Sequence, residues 1–227
     1  MKVVLFDIDG TLLDSGGAGT RALNYAFREL FSLDHAFEGI GMAGKTDLQI
    51  IRECLEKHGF PLGNGLIPRM MDAYIAHLRA EMENDRRHLK PGIREALAAL
   101  NGRGGRCRLG LLTGNIEQGA RIKLEPFSLN GYFPAGAFGS DDEDRNRLLP
   151  VARRRFEELC GREIPFGDCV VVGDTPRDVH CAKPYGAFSV GVATGPYPPE
   201  ALREAGADIV FRDLSVTETF LEAIGMG

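Results

Sequence analysis

The run Lys2-Val3-Val4-Leu5-Phe6-Asp7-Ile8-Asp9-Gly10-Thr11-Leu12 constrains this chain more than any other stretch. An apolar, β-rich segment bounded by glycine reads as a strand buried on both faces, and such strands ordinarily belong to parallel α/β sheets. Two carboxylates stand where that strand ends. Side chains alternate along an extended chain, so Asp7 and Asp9 start on the same face. Like charges so close are costly unless a cation or a shared proton relieves them, so the pair predicts a partner. Taken alone, the same residues also describe a plain Asp-Gly turn, and the rest of the chain has to separate the two readings.

The bulk properties narrow the partners. The chain has 227 residues, 44% hydrophobic and 26% charged, enough for one large or two smaller domains. Its 32 acidic and 27 basic residues leave a formal net charge of -5, without the basic field that nucleic acid or an anionic membrane attracts. The five cysteines are an odd number, widely spread and without a CxxC pair, which argues against a disulfide framework and against a zinc site. Reduced thiols in the cytoplasm are expected. The chain opens straight into its first strand, with no charged leader and no apolar stretch long enough to cross a bilayer, so a soluble cytoplasmic protein is expected.

After the first strand comes a small-residue linker over 14–19, then Leu23, Ala26, Phe27, Leu30 and Phe31 at helical spacing. The linker lacks GxxxxGK[ST] and a complete GxGxxG, so it reads as a hinge rather than a phosphate loop. A glycine-rich break at 39–44 precedes Thr46-Asp47-Leu48-Gln49, which fits a capping box opening a second helix with Ile51, Cys54 and Leu55 inward. A further break at 59–65 leads to Ile67, Met70, Met71, Tyr74, Ile75, Leu78 and Met82, a long apolar stripe whose methionines read as core filler. Residues 15–90 are thus expected to form an all-helical insertion, with 1–14 and 91–227 forming the α/β core.

Beyond Pro91 strands alternate with helices. Strand patterns at 108–112, 135–139, 169–173, 188–193 and 207–211 are separated by helical patterns, including Leu148, Leu149, Ala152, Phe156 and Leu159. That alternation predicts right-handed crossovers and a doubly wound parallel sheet. In such sheets ligands gather at the carboxyl ends of the strands. Three strand ends there carry polar residues: Asp7 with Asp9, Thr113 with Asn115, and Asp174 with Asp178. Each alone has a plain explanation as a turn or a helix cap; together they predict one site.

The residues Asp7-Ile8-Asp9-Gly10-Thr11, Leu111-Leu112-Thr113-Gly114-Asn115 and Val171-Val172-Gly173-Asp174-Thr175-Pro176-Arg177-Asp178 resemble motifs I, II and IV of the haloacid dehalogenase superfamily. The helical insertion resembles its C1 cap, and the likeness spans nearly the whole chain. The likeness places the chain in the phosphatase branch, similar to phosphoglycolate phosphatase-like hydrolases, where the second motif I position is Asp. In the dehalogenases that position is not Asp and no magnesium is used.

The resemblance implies a Mg²⁺-dependent hydrolase of a small phosphate ester. An attacking carboxylate needs a hard divalent cation beside it to screen the phosphate, and oxygen ligands suit Mg²⁺. By the same resemblance Asp7 is the nucleophile that becomes an aspartyl-phosphate. Asp174 and the backbone carbonyl of Asp9 join it around the metal, and Asp178 stands in or near the second shell. The Asp9 side chain would protonate the leaving oxygen and then deprotonate water. Thr113 and the amides of Gly114 and Asn115 would hold the phosphate.

The family's third motif supplies a basic residue, commonly Lys. No Lys lies between Asp141 and Leu148; Arg145 and Arg147 stand there instead, and Arg145 is preferred. In the insertion, Lys45 and Thr46 resemble the cap's specificity loop, with Lys45 a candidate for a carboxylate or second anionic group, although a Lys before a helix cap also reads as solvent-facing. The five histidines form no catalytic or metal pattern, and Cys181 beside His180 reads as helix packing. A phosphotransferase or mutase using the same aspartyl-phosphate, and a catalytically idle ligand-binding member, are the alternatives. A monomer or homodimer is expected.

Overall fold

Val3, Val4, Leu5 and Phe6 are fully buried because β1 (Lys2–Phe6) is an interior strand with helices on both of its faces. The computed structural model describes residues 1–227 except Leu62 and Asn64, so that part of the expected 59–65 break lies outside the described residues. β1 belongs to a six-stranded sheet that also holds β4 (Cys107–Leu112), β5 (Ala135–Ala137), β6 (Cys169–Gly173), β7 (Phe188–Val192) and β8 (Ile209–Phe211). The order is β5-β4-β1-β6-β7-β8, and all neighbouring pairs are parallel.

Period-2 alternation divides the core. Val4, Phe6, Leu109, Leu111, Val170 and Val172 face α4 (Ile93–Asn101) and α9 (Thr217–Ala223), where Leu97, Leu100 and Phe220 meet them. Val3, Leu5 and Val171 face the other way, onto Phe156 of α6 (Leu148–Cys160) and Cys181 of α7 (Pro176–Ala182). The register places Phe6 beside Leu111 on one side and beside Val172 on the other. Asp7, Thr113 and Asp174 therefore leave the sheet together at the carboxyl ends of adjacent strands, where the connections run off to opposite sides.

Between β1 and β4 the chain makes α1 (Ala18–Phe31), α2 (Asp47–Lys57) and α3 (Leu66–Glu81). Leu23, Phe27, Ile51, Leu55, Met70, Leu78 and Met82 share a separate apolar cluster there, completed by Ile116 and Ile122 from the other side. The expectation of an all-helical insertion departs from the structure at its end. β2 (Leu13–Asp14) and β3 (His88–Leu89) pair antiparallel, so residues 88–89 are strand. Pro91 disfavours helix just before it, and Leu89 packs onto the sheet's core. At α2 only half of the expected capping box forms. Thr46 Oγ1 accepts from the Gln49 amide at 3.1 Å, whereas the Gln49 side chain donates to Glu53.

No described helix is long and apolar enough to cross a membrane. All five cysteines are free thiols. Burial pushes Cys54 and Cys181 up to about 12 and Cys107 and Cys169 up to about 11.

Candidate active site

The strand ends supply three buried carboxylates. Asp7 continues the ladder from β1, its amide donating to Val172 O at 2.9 Å. Asp174 follows β6, and its Oδ1 accepts the Thr11 hydroxyl at 2.9 Å. Asp178 lies in the first turn of α7. Each of the three offers an oxygen within 4.8 Å of the others. Gly10 is required for this approach: its φ is +83°, and a Cβ there would overlap the Asp174 carboxylate.

One cation pairs directly with two of them. Arg145 Nη2 lies 3.1 Å from Asp7 Oδ1 and also contacts Asp178 Oδ1, while Nη1 donates to Gly44 O at 3.2 Å. Its side chain is only 3% exposed, against 71% for Arg147, which pairs at the surface with Asp142 and Asp144. Cys181 Sγ donates to the Arg145 carbonyl at 3.2 Å, pinning the turn, which is a packing role. His180 is exposed.

Three buried carboxylates beside one guanidinium leave an excess of negative charge. Burial pushes Asp7 up to about 6, with Arg145 opposing and Asp178 and Asp9 adding to the rise. Asp174 is driven well above the usual carboxylate range by burial, then by Asp178 and Asp7. Burial works against the Arg145 charge too, but Asp178 and Asp7 outweigh it and hold the guanidinium protonated. An all-oxygen donor set with unbalanced charge fits a hard divalent cation such as Mg²⁺. Asp178 is the most engaged of the three: its Oδ2 accepts from the Thr175 amide at 3.0 Å and hydroxyl at 2.7 Å, a complete capping box. Asp7 and Asp174 have the freer oxygens.

The Asp9 carboxylate stands outside that cluster. Its Oδ2 accepts from Asn115 Nδ2 at 2.8 Å and from Lys123 Nζ at 2.7 Å. Asn115 Nδ2 also donates to the Thr113 hydroxyl at 2.9 Å, and Asn115 Oδ1 accepts from Lys123 at 2.6 Å. Lys123 was invisible to motif reasoning. Its signal was a lone Lys on the inward face of α5 (Glu117–Leu124), three residues after Ala120, where the helical period calls for an apolar side chain. Asp47 was also missed as a site group. It is buried, which pushes it up to about 6; its Oδ2 accepts the Ile116 amide at 2.9 Å, and its own amide donates to Gly114 O at 2.7 Å.

The loop carrying Lys45 presses on the motif II turn, and a Cβ on Gly114 would overlap the Lys45 carbonyl. Thr46 donates to Glu143 O at 2.8 Å, and Arg52 pairs with the Glu143 carboxylate. Lys45 is neither solvent-facing nor free: its ammonium pairs with Glu53 at 2.5 Å on the wall of the site. A cavity of about 450 Å³ lies between these elements, lined among others by Asp7, Asp9, Lys45, Asp47, Tyr74 and Lys123.

Residues 1–186 match the model of the haloacid dehalogenase-like hydrolases, and the chain belongs to that family. Within it, this enzyme stands in the phosphatase branch. It is 30% identical over 219 residues to the phosphoglycolate phosphatase of Rhodospirillum rubrum, covering 94% of this chain and 88% of that protein. Identity to the phosphoglycolate phosphatase of Agrobacterium fabrum is 27% over 216 residues, covering 94% and 89%. The β-phosphoglucomutase of Clostridium difficile shares the fold at TM-score 0.75 and 16% identity, covering 99% of this chain and 97% of that one.

Proposed function

We propose that this protein is a Mg²⁺-dependent phosphomonoester hydrolase of a small phosphorylated metabolite, working through an aspartyl-phosphate on Asp7. The observation that carries the reading is the convergence of Asp7, Asp174 and Asp178 within 4.8 Å, with charge that a single arginine does not balance. A bound divalent cation, held by Asp7, Asp174 and the Asp9 carbonyl with Asp178 behind them, would supply screening of the phosphoryl charge.

The chain's own groups do the rest. The Asp7 carboxylate attacks phosphorus as the bond to the leaving oxygen breaks, and Asp9 gives that oxygen a proton. Asp9, now a carboxylate, takes a proton from the water that attacks phosphorus next, releasing phosphate and regenerating Asp7. Thr113 and the amides of Gly114 and Asn115 hold the phosphoryl oxygens. Residues 1–14 and 91–227 act as the catalytic core and 15–90 as a cap that closes over the leaving group. The reading places the enzyme in the cytoplasm as a monomer or homodimer, with no nucleic acid or membrane partner.

Phosphate release from p-nitrophenyl phosphate and a panel of metabolite esters, with Mg²⁺ and with EDTA, tests the reading. The names of the relatives make 2-phosphoglycolate the first metabolite to try. Release with Mg²⁺ that EDTA abolishes is expected. No release from any ester would overturn it, and phosphoryl return to a sugar that depends on a sugar bisphosphate would make the enzyme a mutase.

Two further outcomes follow from the site. The Asp7 carboxyl is at about 6 in the folded protein against 3.8 when free. As pH rises through that window the unfolded chain loses its proton first, so the group's contribution to stability falls and stays lost near neutrality. A cation that offsets this repulsion should raise the melting temperature of EDTA-treated protein at about pH 7, and less at about pH 5; equal shifts at both would contradict the site. Secondly, Lys45→Ala should raise KM for carboxylate-bearing esters by about 10-fold, one lost charge contact, and leave p-nitrophenyl phosphate unaffected. Unchanged KM across the panel would remove Lys45 from recognition.

A further inference from the structure

We propose that Lys123 is a positioning residue for the proton donor: it clamps one oxygen of Asp9 so that the other delivers the proton to the leaving group. The inference rests on the reading of Asp9 as the acid. It concerns a residue outside all the motifs.

The hydrogen bonds distinguish the two Asp9 oxygens. Oδ2 receives Lys123 Nζ at 2.7 Å and Asn115 Nδ2 at 2.8 Å. Oδ1 receives no donor among the described residues. An O–H on Oδ2 would face two N–H groups, so the proton has to sit on Oδ1. The clamp is itself braced, since Lys123 also donates to Asn115 Oδ1 at 2.6 Å and Asn115 donates to Thr113 Oγ1 at 2.9 Å. Asp9 needs such bracing. It precedes a left-handed Gly10, and its side chain is 41% exposed, free to swing into the cavity without an anchor.

Stability does not account for a lysine here. Ile116, Ala120 and Leu124 on the same helical face are buried and apolar, and a buried ammonium carries a desolvation penalty that an aliphatic residue avoids. Besides Asp9, Asp47 from the insertion and then Asp7 act on this charge. Two buried cations thus divide the site: Arg145 holds the side of Asp7 and Asp178, Lys123 the side of Asp9.

In the step concerned, the Asp9 Oδ1–H bond breaks and the proton moves to the leaving oxygen. The bond from that oxygen to phosphorus breaks as the Asp7 oxygen bonds to phosphorus, and the new Asp9 carboxylate stays on Lys123. A good leaving group needs no proton, which supplies the test. Values of kcat/KM, which report the step that expels the leaving group, are measured for p-nitrophenyl phosphate and for 2-phosphoglycolate or glycerol phosphate in wild type, Lys123→Met and Lys123→Gln. Lys123→Met should lose on the order of 100-fold on the alkyl ester and little on the aryl ester. Lys123→Gln, which keeps an N–H donor one bond shorter, should recover part of the loss. An equal loss on both esters, or none on either, overturns the proposal. A wild type inactive on every ester overturns the phosphatase reading instead. If circular dichroism shows that neither variant folds, a crystal structure of the wild type decides: Lys123 Nζ within hydrogen-bond reach of Asp9 upholds the clamp, and a separation beyond about 4 Å ends it.

Discussion

Asp7→Asn is expected to lower kcat for phosphate-ester hydrolysis by on the order of 10⁴-fold or more, leaving a folded protein. Asparagine matches the shape of the carboxylate but cannot form the acyl phosphate, so the loss falls on the chemical step rather than on binding. Packing should tolerate it, because the Asp7 charge is held against burial, with its carboxyl pushed up to about 6. Removing that charge relieves repulsion with Asp174 and Asp178, and Arg145 keeps Asp178 as its partner. The melting temperature without metal should therefore equal or exceed that of the wild type, and its increase on adding Mg²⁺ should shrink. Phosphate release and thermal denaturation measure both. A variant that still turned over at the wild-type rate would remove Asp7 as the nucleophile, whatever its stability.

Arg145→Ala should be the more destructive change for the fold. Its guanidinium lies between Asp7 and Asp178 and also reaches the Gly44 and Leu112 carbonyls, with almost no exposure. Taking away one partner of a buried ion pair leaves uncompensated charge, which costs about 3–5 kcal/mol. In a chain of this size that corresponds to a fall of about 10 °C in melting temperature. Activity should fall with it, because Asp7 loses the contact that orients it. Arg147→Ala provides the contrast. Its pairs with Asp142 and Asp144 are 3.7 and 3.8 Å long and open to solvent, so a change within about 0.5 kcal/mol and unaltered turnover are expected. Equal effects of the two substitutions would sink the assignment of Arg145.

Those two arginines show where reading the chain reached its end. They are two residues apart in one short turn, Arg145–Arg147, and nothing local ranks them firmly. The distinction comes from α7, which brings Asp178 against the inner side of that turn. Lys45 shows the same limit: its glycine-flanked position was legible, but its pairing with Glu53 of α2 depends on how the loop folds back on the helix.

What the sequence determined by itself was the alternation of strand and helix, the helical insertion after the first strand, and the acids at the strand ends. These are carried by short-range patterns, the periods of 2 and 3.6 and the spacing within DIDGT, LLTGN and GDTPRD, which survive without knowledge of neighbours. What only the tertiary structure decided was which charges are buried and against what. Lys123 and Asp9 are 114 positions apart, and their contact at 2.7 Å exists because α5 packs beside the end of β1. Burial is a property of the whole packed chain, and a charged side chain looks the same in a sequence whether water or three carboxylates surround it.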